Sequence, residues 1–249
     1  MSLREKRRLD RLLVERGLVE SRARAQALVR AGLVWSGAKR LDQSSATLAA
    51  DAPLEVRGRD HPWVSRGGVK LAHALDHFAV DPTAAIAIDI GASTGGFTEV
   101  LLARGATRVY AVDVGHDQLA EKLRSDARVV AMERRNARHL TRADIPESPD
   151  IVVCDASFIS LTAVLPASLA LAAPGAWLIA LIKPQFEAGK GVIGKGGVVR
   201  DPDLHRDICK RIAAWLAAQS GWAVRGLTES PVLGGDGNVE FLICATKVS

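Results

Sequence analysis

Four charged residues stand where the chain could assemble them for acid–base chemistry. Asp155 and Lys183 each follow a run of apolar residues, Glu240 opens another, and Lys70 lies in the stretch VSRGGVKL. The carboxyl ends of parallel strands meet at one edge of an α/β sheet, where such folds place their sites. A lysine near a second cation loses its proton more readily, whereas nearby carboxylates oppose that loss. Lys70 has a second interpretation, because it also ends a basic segment and could be one more cation of it.

The segments from Ile86 onward alternate between strand-like and helix-like patterns. The predicted strands are AIAIDI, RVYAVDV, RVVAM, DIVVCDA and AWLIALIKP, and the predicted helices between them are TEVLLARG, HDQLAEKLR and LTAVLPASLALAA. This alternation implies right-handed crossovers and a mostly parallel, doubly wound sheet. After the amphipathic helix LHRDICKRIAAWLAAQSG, two strands flank the short loop PVLGGDG and should be antiparallel. An α/β sheet ending in a hairpin is typical of S-adenosylmethionine-dependent methyltransferases, whereas a nicotinamide dehydrogenase usually continues with parallel units.

The positive charge is confined to the N-terminal quarter. Residues 1–70 contain 15 Lys and Arg against 8 Asp and Glu, a net charge of +7, whereas residues 71–249 carry a net charge of −2. A generally solvated basic surface would spread this excess along the chain. A compact cationic module on a near-neutral body indicates docking to a polyanion, and nucleic acid is the class that fits best.

The basic segment itself reads as a small α+β unit. Two short helices are predicted, the first stopped by Gly17 and the second capped by Ser21 and ended by Gly32. LVWSGAKRL predicts two strands around a Ser-Gly turn, and PLEVRG predicts another. Pro62 favours extended backbone before it and indicates a linker. We therefore expect a first domain over residues 1–59, a linker over 60–66 and a second domain over 67–249.

The turn DIGASTGGFT follows a predicted strand and opens a helix, which is the context of a cofactor-binding turn. Its glycines would let the backbone approach a ligand closely, although they do not form a GxGxxG fingerprint. Asp113, at the end of the next strand, could accept hydrogen bonds from both hydroxyls of a ribose. Nicotinamide and S-adenosylmethionine sites share that carboxylate, so these residues leave both cofactors open. The run from Gly189 to Lys195 fits GxxxxGK but lacks the following Ser or Thr, so we interpret it as a mobile basic loop near the site.

Several classes of protein do not fit the composition. No unbroken apolar run reaches the roughly 20 residues of a membrane-spanning helix, and the N-terminus lacks the apolar core of a secretory signal. Cys154, Cys209 and Cys244 are odd in number and lack CxxC spacing, which argues against a disulfide framework or a cysteine zinc site. We expect a cytoplasmic globular protein with no metal requirement.

Seven ordered motifs together resemble the TlyA (hemolysin A) family: VSRGGVKL, DIGASTGGFT, VDVG, ERRNAR, DASFISL, LIKPQFE and GNVEFL. The resemblance spans essentially the whole chain. It implies a ribosomal RNA 2′-O-methyltransferase that uses S-adenosylmethionine, with a catalytic domain of the FtsJ type. The basic head resembles the αL RNA-binding motif shared with a small-subunit ribosomal protein and pseudouridine synthases. Two departures are Ala156, where Val is more usual, and Arg135, where Thr is common, and Arg135 leaves the neighbouring adenosine contact open.

The resemblance implies a catalytic Lys-Asp-Lys-Glu tetrad formed by Lys70, Asp155, Lys183 and Glu240. Within it we expect Lys183 to be the base that takes the ribose hydroxyl proton, with Lys70 as the second cation. Asp155 would orient Lys183 and support the positive charge near the sulfonium, and Glu240 would position Lys70. Two positive and two negative charges keep the net charge near zero, which limits the cost of burying them.

Two further sets of residues are predicted to bind ligands. The expected cofactor contacts are Asp89, Gly91, Ala92, Ser93, Thr94, Gly95, Gly96, Asp113, Val114, Asn136 and Asp155. The expected RNA contacts on the basic module, with ribosomal RNA or ribosomal subunits as partner, are Arg7, Arg8, Arg22, Arg24, Lys39 and Arg40. Two other functions stay open: a non-catalytic RNA-binding assembly factor that retains the fold, and a membrane-lytic hemolysin, which the lack of a spanning or strongly amphipathic cationic segment disfavours.

Overall fold

The computed structural model describes residues 6–19, 21–58, 61–189, 197–234 and 237–248. The chain divides into two compact units, one made of Met1–Pro62 and Gly234–Gly237 and the other of Trp63–Leu233 and Asn238–Ser249. The division after Pro62 falls inside the segment 60–66 that the sequence assigns to a linker. The domain boundaries drawn from the sequence stay a prediction.

The first unit combines two short helices with two small antiparallel sheets. Its elements are β1 (Lys6–Arg8), α1 (Leu9–Glu15), α2 (Arg22–Arg30), β2 (Val34–Ser36), β3 (Lys39–Arg40), β4 (Thr47–Ala49) and β5 (Glu55–Val56). One sheet pairs β1 with β4, and the other has the order β3-β2-β5. Leu9, Leu13, Leu28 and Val29 form the core between the helices, together with Val34 from β2.

Both helix signals in this unit are confirmed. The hydroxyl of Ser21 accepts the N–H of Arg24 at 3.2 Å, so Ser21 caps α2 as predicted. Gly17 has φ +66° just after α1, a left-handed conformation that glycine adopts without strain. The pairing of β1 with β4 was not predicted, since each strand has only three residues and joins positions far apart in sequence, such as Lys6 with Ala49.

The second unit is a three-layer α/β structure. Its elements are α3 (Gly67–Phe78), β6 (Ile86–Ile90), α4 (Gly96–Ala103), β7 (Arg108–Val112), α5 (Glu121–Arg124), β8 (Val129–Met132), a 3-10 helix (Ala137–His139), β9 (Ile151–Cys154), α6 (Leu161–Val164), α7 (Pro166–Leu171), β10 (Trp177–Ile182), α8 (Pro184–Glu187), α9 (Pro202–Ala217), β11 (Trp222–Glu229) and β12 (Phe241–Lys247).

The seven-stranded sheet has the order β11-β12-β10-β9-β6-β7-β8. The five strands from β10 to β8 are parallel, and β12 runs antiparallel to both β10 and β11. Apolar clusters cover both faces of the sheet, which is why the central strands read as continuous apolar runs. This Rossmann-like methyltransferase architecture, parallel with a terminal antiparallel hairpin, confirms the predicted fold class.

Two predicted helices differ in the structure. The segment LTAVLPASLALAA forms α6 and α7 rather than one helix, because Pro166 lacks the N–H that a continuous helix would use at that position. The helix predicted over HDQLAEKLR is reduced to α5, since Asp117 has φ +53° and Ala120 is extended. Within the described ranges, no helix combines the length and apolarity required to cross a bilayer.

Candidate active site

The Lys183–Asp155 pair is delivered by neighbouring parallel strands. Lys183 directly follows β10 and Asp155 directly follows β9, so both side chains emerge at the carboxyl edge of the sheet. The Lys183 Nζ lies 2.6 Å from Oδ1 of Asp155. It also donates to the Ser157 hydroxyl at 2.8 Å and to the Asp155 carbonyl at 3.0 Å. Two hydrogen bonds and one ion-pair contact therefore fix the position of this amine, and the Lys183 residue is only 7% exposed.

Lys70 forms the second ion pair with Glu240. Its Nζ donates to Oε2 of Glu240 at 2.5 Å, and the two side chains are 9% and 3% exposed. Lys70 lies in the first turn of α3, and Glu240 immediately precedes β12. The backbone of Glu240 is also held, because its carbonyl accepts the N–H of Ser230 at 2.9 Å. Nearby, the fully buried Asn238 accepts the N–H of Val199 at 2.9 Å.

The two ion pairs lie at the same edge of the sheet. Ile182 pairs with Phe241 in the β10–β12 ladder, so Lys183 and Glu240 leave adjacent strands at the same level. A methyl group at Gly67, one turn before Lys70, would lie 3.5 Å from the Asp155 carboxylate. The structure thus brings all four tetrad residues together, while their catalytic roles stay a prediction.

Close backbone packing sets the position of the helix that carries Lys70. A Cβ atom at Gly96 would lie 2.2 Å from the Ser65 hydroxyl and 2.9 Å from the Gly68 backbone nitrogen. Because no side chain fits at Gly96, the start of α3 packs directly against the start of α4. The glycine turn therefore has a structural function besides any approach to a ligand, since it positions Lys70.

A cavity of about 510 Å³ opens beside Asp155 at the carboxyl ends of β6, β7 and β9. Asp113 forms part of its wall and accepts the backbone N–H of Ser93 at 2.8 Å and that of Gly115 at 2.7 Å. Each carboxylate oxygen can still accept a further hydrogen bond. A Cβ atom at Gly91 would lie 2.9 Å from the backbone of Ala156, so glycine is required where these two turns cross.

The predicted cofactor residues fall into two groups. Those that line the cavity are Gly91, Ser93, Asp113, Val114, Asn136 and Asp155. Those that do not line it are Asp89, Ala92, Thr94, Gly95 and Gly96. Arg135, noted as a departure from the family pattern, also lines it and forms an ion pair with Asp144 at 3.2 Å. The Asn136 side-chain oxygen accepts the N–H of Arg138 at 3.1 Å and so caps the 3-10 helix.

Asp89 is fully buried behind the glycine turn. Its Oδ2 accepts the Thr98 hydroxyl at 2.6 Å, while no protein group in the described ranges bonds to the buried Oδ1. Burial, with the Asp155 and Asp113 carboxylates adding to it, raises the pKa of Asp89 to about 7. Near physiological pH, Asp89 is therefore either a neutral acid or an unpaired buried anion. A group that bonds to its Oδ1 would decide between the two states.

Sequence reasoning missed two residues of the site. The hydroxyl of Ser157 accepts a hydrogen bond from the Lys183 amine at 2.8 Å. Phe158 lines the cavity, is 90% exposed and has φ +63°, a strained conformation for a bulky residue. Its ring centroid lies 4.9 Å from that of Phe186. Both residues stand in DASFISL, in which Asp155 is the one charged residue and so the one that the sequence marks as a candidate.

The predicted RNA-binding residues all lie in the first unit. Arg7 pairs with Glu15 at 2.9 Å, and Lys39 and Arg40 are exposed on β3. Arg8 and Arg22 both donate to the buried carboxylate of Asp10. Arg24 lies in the first turn of α2. Residues 190–195 of the GxxxxGK run lie outside the described ranges, so its interpretation as a mobile basic loop stays a prediction.

The prediction of no metal requirement is also untested. His116, Asp117 and Glu133 offer ligand atoms within 4.8 Å of one another on the described surface. Arg124 already contacts Glu133 at 2.8 Å and Asp117 at 3.4 Å, which supplies positive charge to this exposed group.

Comparison with known protein families identifies the second unit. The FtsJ-like methyltransferase model matches residues 63–247, and the S4 domain model matches residues 7–51. This chain belongs to the FtsJ-like methyltransferase family. The predicted resemblance is confirmed, and the chain is an S-adenosylmethionine-dependent methyltransferase.

Individual relatives cover nearly the whole chain. “Putative rRNA methyltransferase YqxC” of Bacillus subtilis is 51% identical over 96% of this chain and 85% of its own. “16S/23S rRNA (cytidine-2'-O)-methyltransferase TlyA” of Mycobacterium tuberculosis is 47% identical over 95% of this chain and 88% of its own. The solved structure of a “Putative hemolysin from Streptococcus thermophilus” has a TM-score of 0.79 at 42% identity, covering 99% of this chain and 90% of that one.

The residues of this FtsJ-like methyltransferase fit S-adenosylmethionine. Asp113 keeps acceptor capacity for ribose hydroxyls, and the cavity beside it reaches Asp155 at the tetrad. The crossing at Gly91 leaves no room for a side chain, and the open Oδ1 of Asp89 is a buried acceptor behind the same turn. We expect Asp113 to hold the ribose, while Asp155 both lines the cavity and contacts Lys183 of the tetrad.

We predict that Asp113→Ala weakens S-adenosylmethionine binding by about 1–3 kcal/mol, the cost of leaving hydrogen-bonding groups unmatched. Calorimetric titration of the purified protein measures the effect. Asp150→Ala is the matched control, because Asp150 accepts the backbone N–H of Ile86 at 2.9 Å but does not line the cavity. Equal affinities of the Asp113 variant and the wild type would remove Asp113 from the cofactor site.

The buried Asp89 leads to a second prediction, which concerns how the stability of the cofactor-free protein depends on pH. Its folded pKa of about 7 lies above the ordinary value of 3.8, so the folded state keeps a proton that the unfolded state has lost. This retained proton contributes at most about 4 kcal/mol to the free energy of unfolding. The contribution is complete below about pH 4 and is lost as the pH rises through about 7. Urea unfolding should show that Asp89→Asn flattens the decline between pH 5 and 8. Parallel wild-type and variant profiles would contradict the assignment.

Proposed function

We propose that this protein transfers a methyl group from S-adenosylmethionine to the 2′-hydroxyl of a ribose in ribosomal RNA. The observation that carries the proposal is the amine of Lys183, which contacts Ser157 and Asp155, two residues that also line the cofactor cavity. Relatives that cover nearly the whole chain carry the names of rRNA methyltransferases, one of them specified as cytidine-2′-O. An S4 domain match on the basic unit supports an RNA substrate.

A ribose hydroxyl is a weak nucleophile, so transfer is accelerated when a base removes its proton during attack. Bound S-adenosylmethionine supplies an electrophilic methyl group on a sulfonium sulfur. Lys183 is the proposed base, whose neutral amine takes the hydroxyl proton on Nζ. The neutral amine has two N–H donors, so two of its contacts with Ser157 and Asp155 can hold the nitrogen while the lone pair takes the proton. The resulting ammonium is stabilised by the Asp155 carboxylate.

Lys70 is the proposed second cation. Its amine lies within the same cluster and is available to hydrogen-bond the reacting hydroxyl, while Glu240 balances its charge. The 9% exposure of the Lys70 side chain fits a closed site better than a solvent-facing phosphate contact. This arrangement supports the catalytic interpretation of Lys70 over the interpretation as one more cation of the basic segment.

Phe158 supports a nucleotide substrate. An aromatic ring that is 90% exposed beside Asp155 offers a face on which an unstacked base can lie. Proteins that bind single-stranded RNA use such stacking, which contributes about 1–3 kcal/mol per base. The Phe158 ring also packs against that of Phe186 in a tilted arrangement, with 4.9 Å between the ring centroids.

The basic first unit is the proposed RNA-binding domain. Its net positive charge and the S4 domain match favour phosphate contacts from Arg7, Arg8, Arg22, Arg24, Lys39 and Arg40. In this proposal residues 1–59 bind RNA, residues 60–66 form a linker and residues 67–249 carry out the transfer reaction. A ribosomal RNA or ribosomal-subunit partner would place the reaction in the cytoplasm.

A non-catalytic RNA-binding factor would not need the paired tetrad beside a cofactor cavity, so that alternative is not favoured. A membrane-lytic activity draws support only from the names of relatives. Mapping 2′-O-methyl groups on ribosomal RNA from cells with and without this protein tests the proposal. A methyl group that disappears from a ribose upon deletion is expected, and identical maps would contradict it.

We predict that Lys183→Ala abolishes methyl transfer but leaves RNA affinity within about threefold, since phosphate contacts dominate that affinity. The control is Lys210→Ala, which removes an exposed lysine of α9. Transfer of labelled methyl groups and RNA binding are measured on the same preparations. Equal losses of binding and turnover in Lys183→Ala would exclude its role as base.

A further inference from the structure

A buried carboxylate joins two arginines in the first unit. Asp10, in the first turn of α1, is completely inaccessible to solvent. Arg8 donates to both of its oxygens, from Nε to Oδ1 and from Nη2 to Oδ2, each at 3.0 Å. Arg22, the first residue of α2, donates from Nη2 to Oδ2 at 2.8 Å, and Gln26 donates to the same oxygen at 3.2 Å. One carboxylate therefore orders side chains from β1 and α2.

The carboxylate also holds two like charges next to each other. Arg8, with Arg22 and Gln26 adding to it, keeps the pKa of Asp10 well below its ordinary range, so the group is an anion at physiological pH. Both guanidinium groups lie within 3.0 Å of the same oxygen, Oδ2. Without the anion, two cations at this separation would repel and move apart.

The two arginines keep donors for an outside partner. A guanidinium has five N–H donors, and contacts with Asp10 use two on Arg8 and one on Arg22. The side chains of Arg8 and Arg22 are 43% and 50% exposed, whereas Asp10 is not exposed at all. The surface thus presents two oriented cations and hides the anion beneath them. Adjacent planar guanidinium forks match the oxygens of a phosphate group.

We propose that Asp10 is a positioning residue that holds Arg8 and Arg22 as a clamp for a single backbone phosphate of the RNA substrate. The proposal rests on the proposed function, since it takes RNA to be the substrate. It assigns a function in recognition to a negatively charged residue within a cationic surface. The free energy for ordering the two arginines is spent during folding, so less is lost when RNA binds.

Charge alone predicts the opposite effect of removing this anion. Asp10→Asn keeps the side-chain volume and raises the net charge of the unit by one. If only the summed charge mattered, RNA would bind more tightly and with a steeper salt dependence. If the orientation of the arginines matters, binding weakens despite the added positive charge. The sign of the change distinguishes the two explanations.

The experiment measures binding of the full-length variant to an rRNA fragment that the wild type binds, by fluorescence polarisation across a salt series. We expect Asp10→Asn to weaken binding about tenfold, the loss expected when a charge-assisted contact is misaligned. In methyl transfer the loss should appear as a higher KM for RNA and not as a lower kcat. The matched control is Glu55→Gln, which neutralises an exposed carboxylate paired with Arg57 in the same unit and should leave binding unchanged or slightly tighter.

A second variant guards against a folding defect in Asp10→Asn. Arg22→Lys keeps the charge at a half-exposed position and removes the planar fork, so it should weaken binding in the same direction. In the double variant the two losses should be less than additive, because both act on one clamp. Unchanged or tighter binding of Asp10→Asn, or fully additive losses, would overturn the proposal.

Failure of the clamp differs from failure of the proposed function. If the wild type neither binds nor methylates ribosomal RNA, the proposed function is wrong and the substrate must be sought elsewhere. If the wild type does both and Asp10→Asn matches it in KM and salt dependence, only the clamp is wrong.

Discussion

The buried ion pair between Lys70 and Glu240 constrains the rest of the second unit. Removing two charges from water is costly, and the pair is stable only if its geometry is fixed. Fixing Glu240 requires the β11–β12 hairpin, and fixing Lys70 requires the start of α3. That start lies against Gly96, so the pair connects the cofactor turn to the last strand. Removal of either partner alone would leave a buried charge, at a cost of about 3–5 kcal/mol.

Three buried carboxylates illustrate how surroundings decide the chemistry of one functional group. Asp10 meets two guanidinium groups and remains an anion that orders them. Glu240 meets one lysine and balances its charge. Asp89 meets a hydroxyl and no cation in the described part of the chain, so burial raises its pKa to about 7. Asp10 organises the proposed RNA surface, Glu240 organises the tetrad, and Asp89 lies behind the cofactor turn.

Strand periodicity predicted most of the second unit, because a parallel sheet covered on both faces reads as continuous apolar runs. It placed Asp155 and Lys183 at the ends of adjacent strands, and the structure brings them together. Phe158 was not found, since its importance comes from exposure and a positive φ, which no local pattern encodes. The contacts of Asp10 were missed for another reason: a carboxylate among arginines reads as a solvated charge until the burial is known. Pro166 is visible in the sequence and is sufficient to divide LTAVLPASLALAA into two helices, although the apolar pattern alone predicted one.

The most direct measurement asks whether Lys70 belongs to the tetrad or to the basic surface. RNA binding and methyl transfer at saturating RNA are measured across a salt series for Lys70→Ala and for the double variant Arg22→Ala with Arg24→Ala. Each phosphate contact contributes about one unit or less to the salt dependence of binding. If Lys70 belongs to the tetrad, Lys70→Ala lowers the saturated rate with an unchanged slope, whereas the arginine variant flattens the slope with a near-normal saturated rate. A flattened slope with a normal saturated rate for Lys70→Ala would contradict that assignment.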